Sequence, residues 1–124
     1  MSNRPKVVVI DDDVVTLKIL TTVLNDQGFQ VRVASDSYTG LHLAENELPD
    51  LIILDIDLPS IDGLRLLWEF RHNPVTQRIP VLMLTGEGKT KSAGLAFDLG
   101  ADAYFKKPFD HVQLTEKITE LIAA

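Results

Sequence analysis

Four short clusters of reactive side chains each follow an apolar run. Asp11, Asp12 and Asp13 come after Val7–Ile10, Asp55 and Asp57 after Leu51–Leu54, Thr85, Gly86 and Glu87 after Val81–Leu84, and Lys106, Lys107 and Pro108 after Ala103–Phe105. Several carboxylates gathered at one place repel one another and raise at least one pKa unless a cation sits among them. Magnesium suits such a place, because it takes oxygen ligands in an octahedron and keeps some of its waters. With charge neutralised, an aspartate can attack a phosphoryl donor, a lysine can pair with the incoming oxygens, and a small hydroxyl can donate to them. Asp55, Lys107 and Thr85 fit those three parts, and Gly86 leaves the approach open. An Asp-x-Asp at a strand end thus serves an aspartyl phosphate, made either for turnover or for retention.

The clusters meet only if the apolar runs lie side by side. Continuous apolar stretches of four residues suit strands covered on both faces of a parallel sheet. Phe29–Val33 instead alternates Phe29, Val31 and Val33 with Gln30 and Arg32, which places it at an edge. Between the runs lie segments with helical spacing: Leu17, Leu20 and Leu24 before Gly28; Tyr38, Leu41 and Ala44 before Pro49; Leu64, Leu67 and Trp68 after Asp62; about Lys89 to Leu99 before Gly100; and Val112, Leu114, Ile118, Leu121 and Ile122 after Pro108 and Asp110. Five strand and helix pairs in strict alternation predict an α/β fold, a doubly wound parallel sheet with helices on both faces. Ligands in such sheets sit at the carboxyl ends of the strands, where all four clusters fall.

Composition narrows the function. The 124 residues, 45% hydrophobic and 24% charged, fit one compact domain. A formal charge of −6 argues against direct nucleic-acid binding, which relies on Lys and Arg to neutralise phosphates, so an effect on DNA needs another module. There is no cysteine, hence no disulfide and no thiolate metal site. No apolar run approaches membrane-spanning length and "MSNRPK" lacks a signal-peptide core, so a cytoplasmic location is expected.

The four motifs, in this order and spacing, resemble a response-regulator receiver domain of two-component signalling across essentially the whole chain, residues 1–124. They are "VVVIDDD", "LIILDIDLPSIDG", "VLMLTGE" and "AYFKKPF". The resemblance implies a five-stranded, flavodoxin-like sheet of order 2-1-3-4-5 with five helices. It implies Asp55 as phosphoacceptor, and Mg²⁺ held by Asp12 and Asp55 directly, by Asp11 through water and by the Asp57 main-chain carbonyl. Lys107 would precede a cis peptide bond to Pro108, Thr85 and Tyr104 would form the switch pair, and Asp57, Gly86 and Glu87 would tune the lifetime of the phosphate. The donor would be a histidine kinase or histidine phosphotransfer protein. The output partner or attached effector would meet the surface of the fourth helix, fifth strand and fifth helix. Such a domain is a switch rather than an enzyme, catalysing only its own phosphorylation and slow dephosphorylation.

Other readings fit less well. A phosphatase of the haloacid dehalogenase type carries Asp-x-Asp on its first strand, whereas here the acidic pair precedes Asp55 and nothing like it follows Lys107. A flavodoxin-like FMN carrier would cradle phosphate in its first loop with amides and hydroxyls, and three aspartates there would repel it. A phosphate-independent docking module, its acids only solvated loop charges, remains the plain alternative. Asp13 reads as a helix cap and Asp62–Gly63 as a helix start. His42, His72 and His111 have no metal-ligand spacing, and Trp68 reads as packing against the sheet or half exposed. Ala103 stands where DNA-binding regulators of the winged-helix group often carry an aspartate, which weakens the case for their mode of dimerisation. A chain ending at Ala124 suits either a stand-alone regulator or a fragment of a larger one.

Overall fold

The computed structural model describes residues 4–58, 61–86 and 92–124. Its elements alternate as expected: β1 Lys6–Ile10, α1 Val14–Asp26, β2 Gln30–Ala34, α2 Ser37–Glu47, β3 Leu51–Asp55, α3 Gly63–Arg71, β4 Val81–Thr85, α4 Ser92–Asp98, β5 Ala103–Lys106 and α5 His111–Ala123. Every strand pair is parallel, and the order is β2-β1-β3-β4-β5. The three central strands are closed to water: Val7–Ile10, Leu51–Leu54 and Val81–Leu84 are all fully buried. Burying one such aliphatic side chain contributes roughly 1.5–3 kcal/mol, so a run apolar on both sides gains most with a layer of helices on each face. Val7, Val9, Leu51 and Ile53 pack with Leu20 and Leu24 of α1 and with Leu114 and Ile118 of α5. Val8, Ile10, Ile52 and Leu54 pack with Ala44 of α2, Leu66, Leu67 and Phe70 of α3, and Ala96 of α4.

Four helices start on an aspartate whose carboxylate accepts an N–H from the first turn: Asp13 from Val15 (3.1 Å), Asp36 from Thr39 (2.8 Å), Asp62 from Arg65 (2.9 Å) and Asp110 from Gln113 (3.0 Å). Each cap contributes about 1 kcal/mol, so part of the chain's acidity serves its helix ends. Asp13 and Asp62 take the capping roles predicted for them. Gly28 and Gly100, at φ +90° and +107°, turn the chain after α1 and α4 in a region that disfavours side chains. Arg71, at the end of α3, braces the second of these turns, with Nε donating to Gly100 O (3.0 Å), Nη1 to Ile79 O (2.8 Å) and Nη2 to Asp102 Oδ2 (2.9 Å).

Several helix faces differ in detail from the predicted spacing. In α3 the buried stripe is Gly63, Leu66, Leu67 and Phe70, and Trp68 lies at the surface, stacked on His72 (centroids 4.0 Å apart) beneath the Arg65 guanidinium. In α2 the buried positions are Ser37, Gly40 and Ala44, with Tyr38 exposed. A Cβ on Gly40 would fall 2.7 Å from Ile10 Cδ1, so α2 approaches the sheet too closely for a bulky residue and the small ones turn inward. Val33 and Val112 are also exposed. The predicted fourth helix is described from Ser92, and its expected start at Lys89–Lys91 lies outside the described residues.

Candidate functional site: an acidic cluster at the carboxyl end of the sheet

Parallel pairing aligns the strand ends and so gathers residues far apart in the chain. Ile10 pairs with Leu54, Asp55 with Leu84, and Thr85 with Lys106, leaving Asp11, Asp55, Thr85 and Lys107 on neighbouring ends. One carboxylate oxygen from each of Asp11, Asp12 and Asp55 lies within 4.8 Å of the others. Asp11 and Asp55 are buried, while Asp12 opens to solvent. Lys107 Nζ enters from β5, 2.7 Å from Asp11 Oδ2 and 3.7 Å from Asp55 Oδ2. The remaining oxygens are held by backbone: Asp11 Oδ1 accepts from Asp13 N (2.8 Å) and Asp55 Oδ1 from Asp57 N (3.2 Å).

These contacts leave the cluster short of positive charge. Burial, and then repulsion from Asp11, push Asp55 up to about 7, and neither Lys107 nor the Asp57 N–H is enough to hold it down. Lys107 is raised as well: burial would lower it, but Asp11 and Asp55 together outweigh that, so it stays a cation. Three convergent carboxylate oxygens and one ammonium amount to an all-oxygen donor set with spare negative charge, which fits a hard divalent cation. The mutual repulsion predicted from the sequence therefore falls mainly on Asp55.

The remaining predicted residues fall into two groups. Thr85 is fully buried at the end of β4, its hydroxyl 3.4 Å from Gly86 O, and its carbonyl accepts from Lys107 N (2.7 Å). Among the described residues, a Cβ on Gly86 would meet nothing within 4 Å. Strand register puts Tyr104 opposite Met83, two residues before the Thr85–Lys106 pair, and Tyr104 therefore shares a sheet face with Thr85. It is half-buried against the cluster on that face, its ring 6.4 Å from that of Phe97. The Asp57 side chain is exposed, as is Lys106. The Lys107–Pro108 peptide bond is cis. Glu87 lies outside the described residues.

Gly63 has more to do with the site than its place in the sequence suggests. Its N–H donates to Ile56 O (2.8 Å), and a Cβ there would fall 2.0 Å from Asp55 O, so the first turn of α3 rests directly on the strand end that carries Asp55. The motif "DG" predicts a helix start but not this contact. Among the described residues, none of the three histidines joins the acidic cluster. His42 lies 3.8 Å from Glu45, His72 stacks on Trp68, and the His111 ring tilts against that of Phe109.

The model of the family described as "Response regulator receiver domain" matches residues 7–119. The chain belongs to that family. Receiver domains are signalling switches of two-component response regulators, and the resemblance read from the motifs holds. The domain is 37% identical over 118 residues to the DNA-binding dual master transcriptional regulator RpaA of Synechocystis, covering 95% of this chain and 49% of RpaA. It is 34% identical over 117 residues to the alkaline phosphatase synthesis transcriptional regulatory protein PhoP of Bacillus subtilis, covering 94% of this chain and 48% of PhoP. The chain thus spans about half the length of these curated relatives. Among solved structures, a CheY-like response regulator receiver domain protein from Methanospirillum hungatei superposes with a TM-score of 0.90 at 30% identity, over 98% of this chain and 95% of that one. No helix among the described residues is long and apolar enough to cross a membrane.

Proposed function

We propose that this receiver domain, residues 1–124, is a phosphorylation switch whose acceptor is Asp55 and whose donor is a phosphohistidine on a histidine kinase or phosphotransfer protein. The observation that carries the reading is the meeting of a buried, destabilised carboxylate, Asp55, with Lys107 and a second buried aspartate at one strand end. An Asp55 oxygen attacks phosphorus, the O–P bond forms as the P–N bond breaks, and the imidazole leaves with the electron pair and takes up a proton. Asp11, Asp12 and Asp55, with the Asp57 carbonyl, would hold Mg²⁺. When bound, the metal neutralises the charge that otherwise keeps a carboxylate and a phosphoryl group apart. Lys107 pairs with phosphoryl oxygens from the β5 side. The Thr85 hydroxyl turns from Gly86 O toward the phosphoryl group, and Tyr104, on the same sheet face, fills the space left behind. Asp57, Gly86 and Glu87 would tune how long the phosphoryl group lasts.

The switch acts by biasing two conformations, and it shifts their populations only as far as the phosphoryl group interacts differently with each. The output surface is α4, β5 and α5, and it meets a partner or an attached effector. Since RpaA is a DNA-binding regulator of about twice this length, any contact with DNA belongs to a module beyond the receiver. The acidity of this domain, with a formal charge of −6, favours the same division.

The test is intact mass after incubation with acetyl phosphate or phosphoramidate and Mg²⁺, with a phosphatase substrate assayed alongside. The expected result is one labile phosphoryl group, gained only with metal. Rapid multiple turnover of the substrate would point to a phosphatase instead, and no gain with any donor would leave a phosphate-independent docking module. Lys107→Ala should disconnect phosphorylation from output, and full signalling by that variant would count against the mechanism. The raised pKa of Asp55 gives a further expectation. Below about pH 7 the metal must displace a proton, so Mg²⁺ affinity should fall by up to about tenfold per pH unit there and level off above it. Calorimetric titration between pH 5.5 and 8 checks this, and a flat profile would remove the case for a protonated Asp55 in the metal-free protein.

A further inference from the structure

Just after β3, the Asp57 N–H holds Asp55 Oδ1. Gly63, at the start of α3, donates its N–H to Ile56 O, next to Asp57. Two residues before Gly63, Ile61 is reached from another element: the Ser37 hydroxyl, on the first turn of α2, donates to Ile61 O. Ser37 is fully buried, and its position is fixed by its place in a helix capped by Asp36 and packed against β1 through Gly40. Ile61 is itself partly buried against the core on that face of the sheet. A partly buried carbonyl that loses its donor is costly, so Ile61 would shift to satisfy its oxygen elsewhere. A shift there passes through Asp62 to Gly63, whose N–H is bonded to Ile56 O, and so to the Asp57 N–H and the rotamer of Asp55.

From this chain of contacts we infer that Ser37 is a positioning residue of the phosphorylation site, setting through Ile61 and Asp57 the orientation in which Asp55 presents its oxygens to the metal. It touches none of the reacting atoms. The inference rests on the proposed role of Asp55 and the metal. It extends that role to a residue 18 positions earlier in the chain that no motif marks. Groups that orient metal ligands from behind commonly change metal affinity by ten- to a hundredfold when removed, and a hydroxyl acting through a loop belongs at the lower end of that range.

The experiment is calorimetric titration of Mg²⁺ into the unphosphorylated protein, comparing the parent with Ser37→Ala and with Thr76→Val. Thr76 provides a matched control, because its buried hydroxyl also donates to a backbone carbonyl, Phe70 O at 2.8 Å, away from the acidic cluster. Both variants should lose thermal stability, but only Ser37→Ala should bind Mg²⁺ more weakly, by about tenfold. If Ser37→Ala does not fold, Ser37→Gly removes the same hydroxyl with more freedom for the backbone to adjust. Equal metal affinity in the parent and a folded Ser37 variant would overturn the inference while leaving the phosphorylation reading intact. A parent that binds no Mg²⁺ would overturn both.

Discussion

Asp55→Asn is expected to leave the domain unable to take up a phosphoryl group and, without metal above pH 7, more stable than the parent. The first effect follows from the loss of the anionic oxygen that attacks phosphorus, since a neutral amide of the same shape is no nucleophile. The second follows from the raised pKa. An acid held above its unfolded value of 3.8, at about 7, favours the folded state while protonated and loses that contribution as pH rises between the two values. At pH 8 the parent carries the full cost of a charged Asp55 beside Asp11, and the variant carries none. After allowance for solvent screening at the open mouth of the site, the gain is on the order of 1–2 kcal/mol, or a few degrees in melting temperature. Melting curves in a chelator at pH 5 and pH 8 check it, with the difference expected to appear mainly at pH 8. A variant less stable than the parent at pH 8 would mean that attraction between Asp55 and Lys107 outweighs the repulsion from Asp11. Saturating Mg²⁺ should reverse the order, because a ligand stabilises only the protein that binds it.

Gly63→Ala is expected to cost about 3 kcal/mol or more, a drop of roughly 10 °C or more in melting temperature. The new methyl would sit 2.0 Å from Asp55 O and 2.6 Å from Ile56 Cα. Neither atom can swing away, since both belong to the main chain at the end of β3 and Ile56 N is bonded to Leu84 O (3.1 Å). The first turn of α3 would have to lift, which also strains the bond from Gly63 N to Ile56 O and the loop carrying Asp57. Gly94→Ala is the natural comparison. It lies within α4 with nothing among the described residues within 4 Å of the added carbon, and alanine is the better helix former by about 1 kcal/mol. Equilibrium denaturation of both variants separates a steric cost from a general effect of losing glycine. A Gly63→Ala protein within 1 kcal/mol of the parent would show that α3 does not rest on β3 as described.

The strongest signals in the sequence concern elements buried on both faces. Val7–Ile10, Leu51–Leu54 and Val81–Leu84 have no polar position to spare, so only central strands of a helix-covered sheet can accommodate them. The strict alternation with helical segments then leaves few topologies. The acidic, hydroxyl and lysine clusters are legible for the same reason, because in a parallel sheet all strands end on one side. Helix faces were harder to read. Tyr38 falls on a predicted apolar stripe but lies at the surface, since α2 approaches the sheet too closely at Gly40 for a larger residue, while Trp68 takes the half-exposed of its two expected places.

By itself, then, the sequence determined the α/β architecture, the strand ends that bear the site, and the kinds of group that meet there, because burial and periodicity are properties of local runs of residues. Only the tertiary structure decided how those groups share their charge. Lys107 lies nearer Asp11 than Asp55, and it is Asp55 whose carboxyl is pushed up, by burial and then by Asp11. It also decided that α3 bears on the Asp55 carbonyl through a glycine and that the Ser37 hydroxyl reaches Ile61. These are distances of a few ångströms between segments distant along the chain, and they depend on how closely helices pack against the sheet rather than on any pattern of residues within one segment.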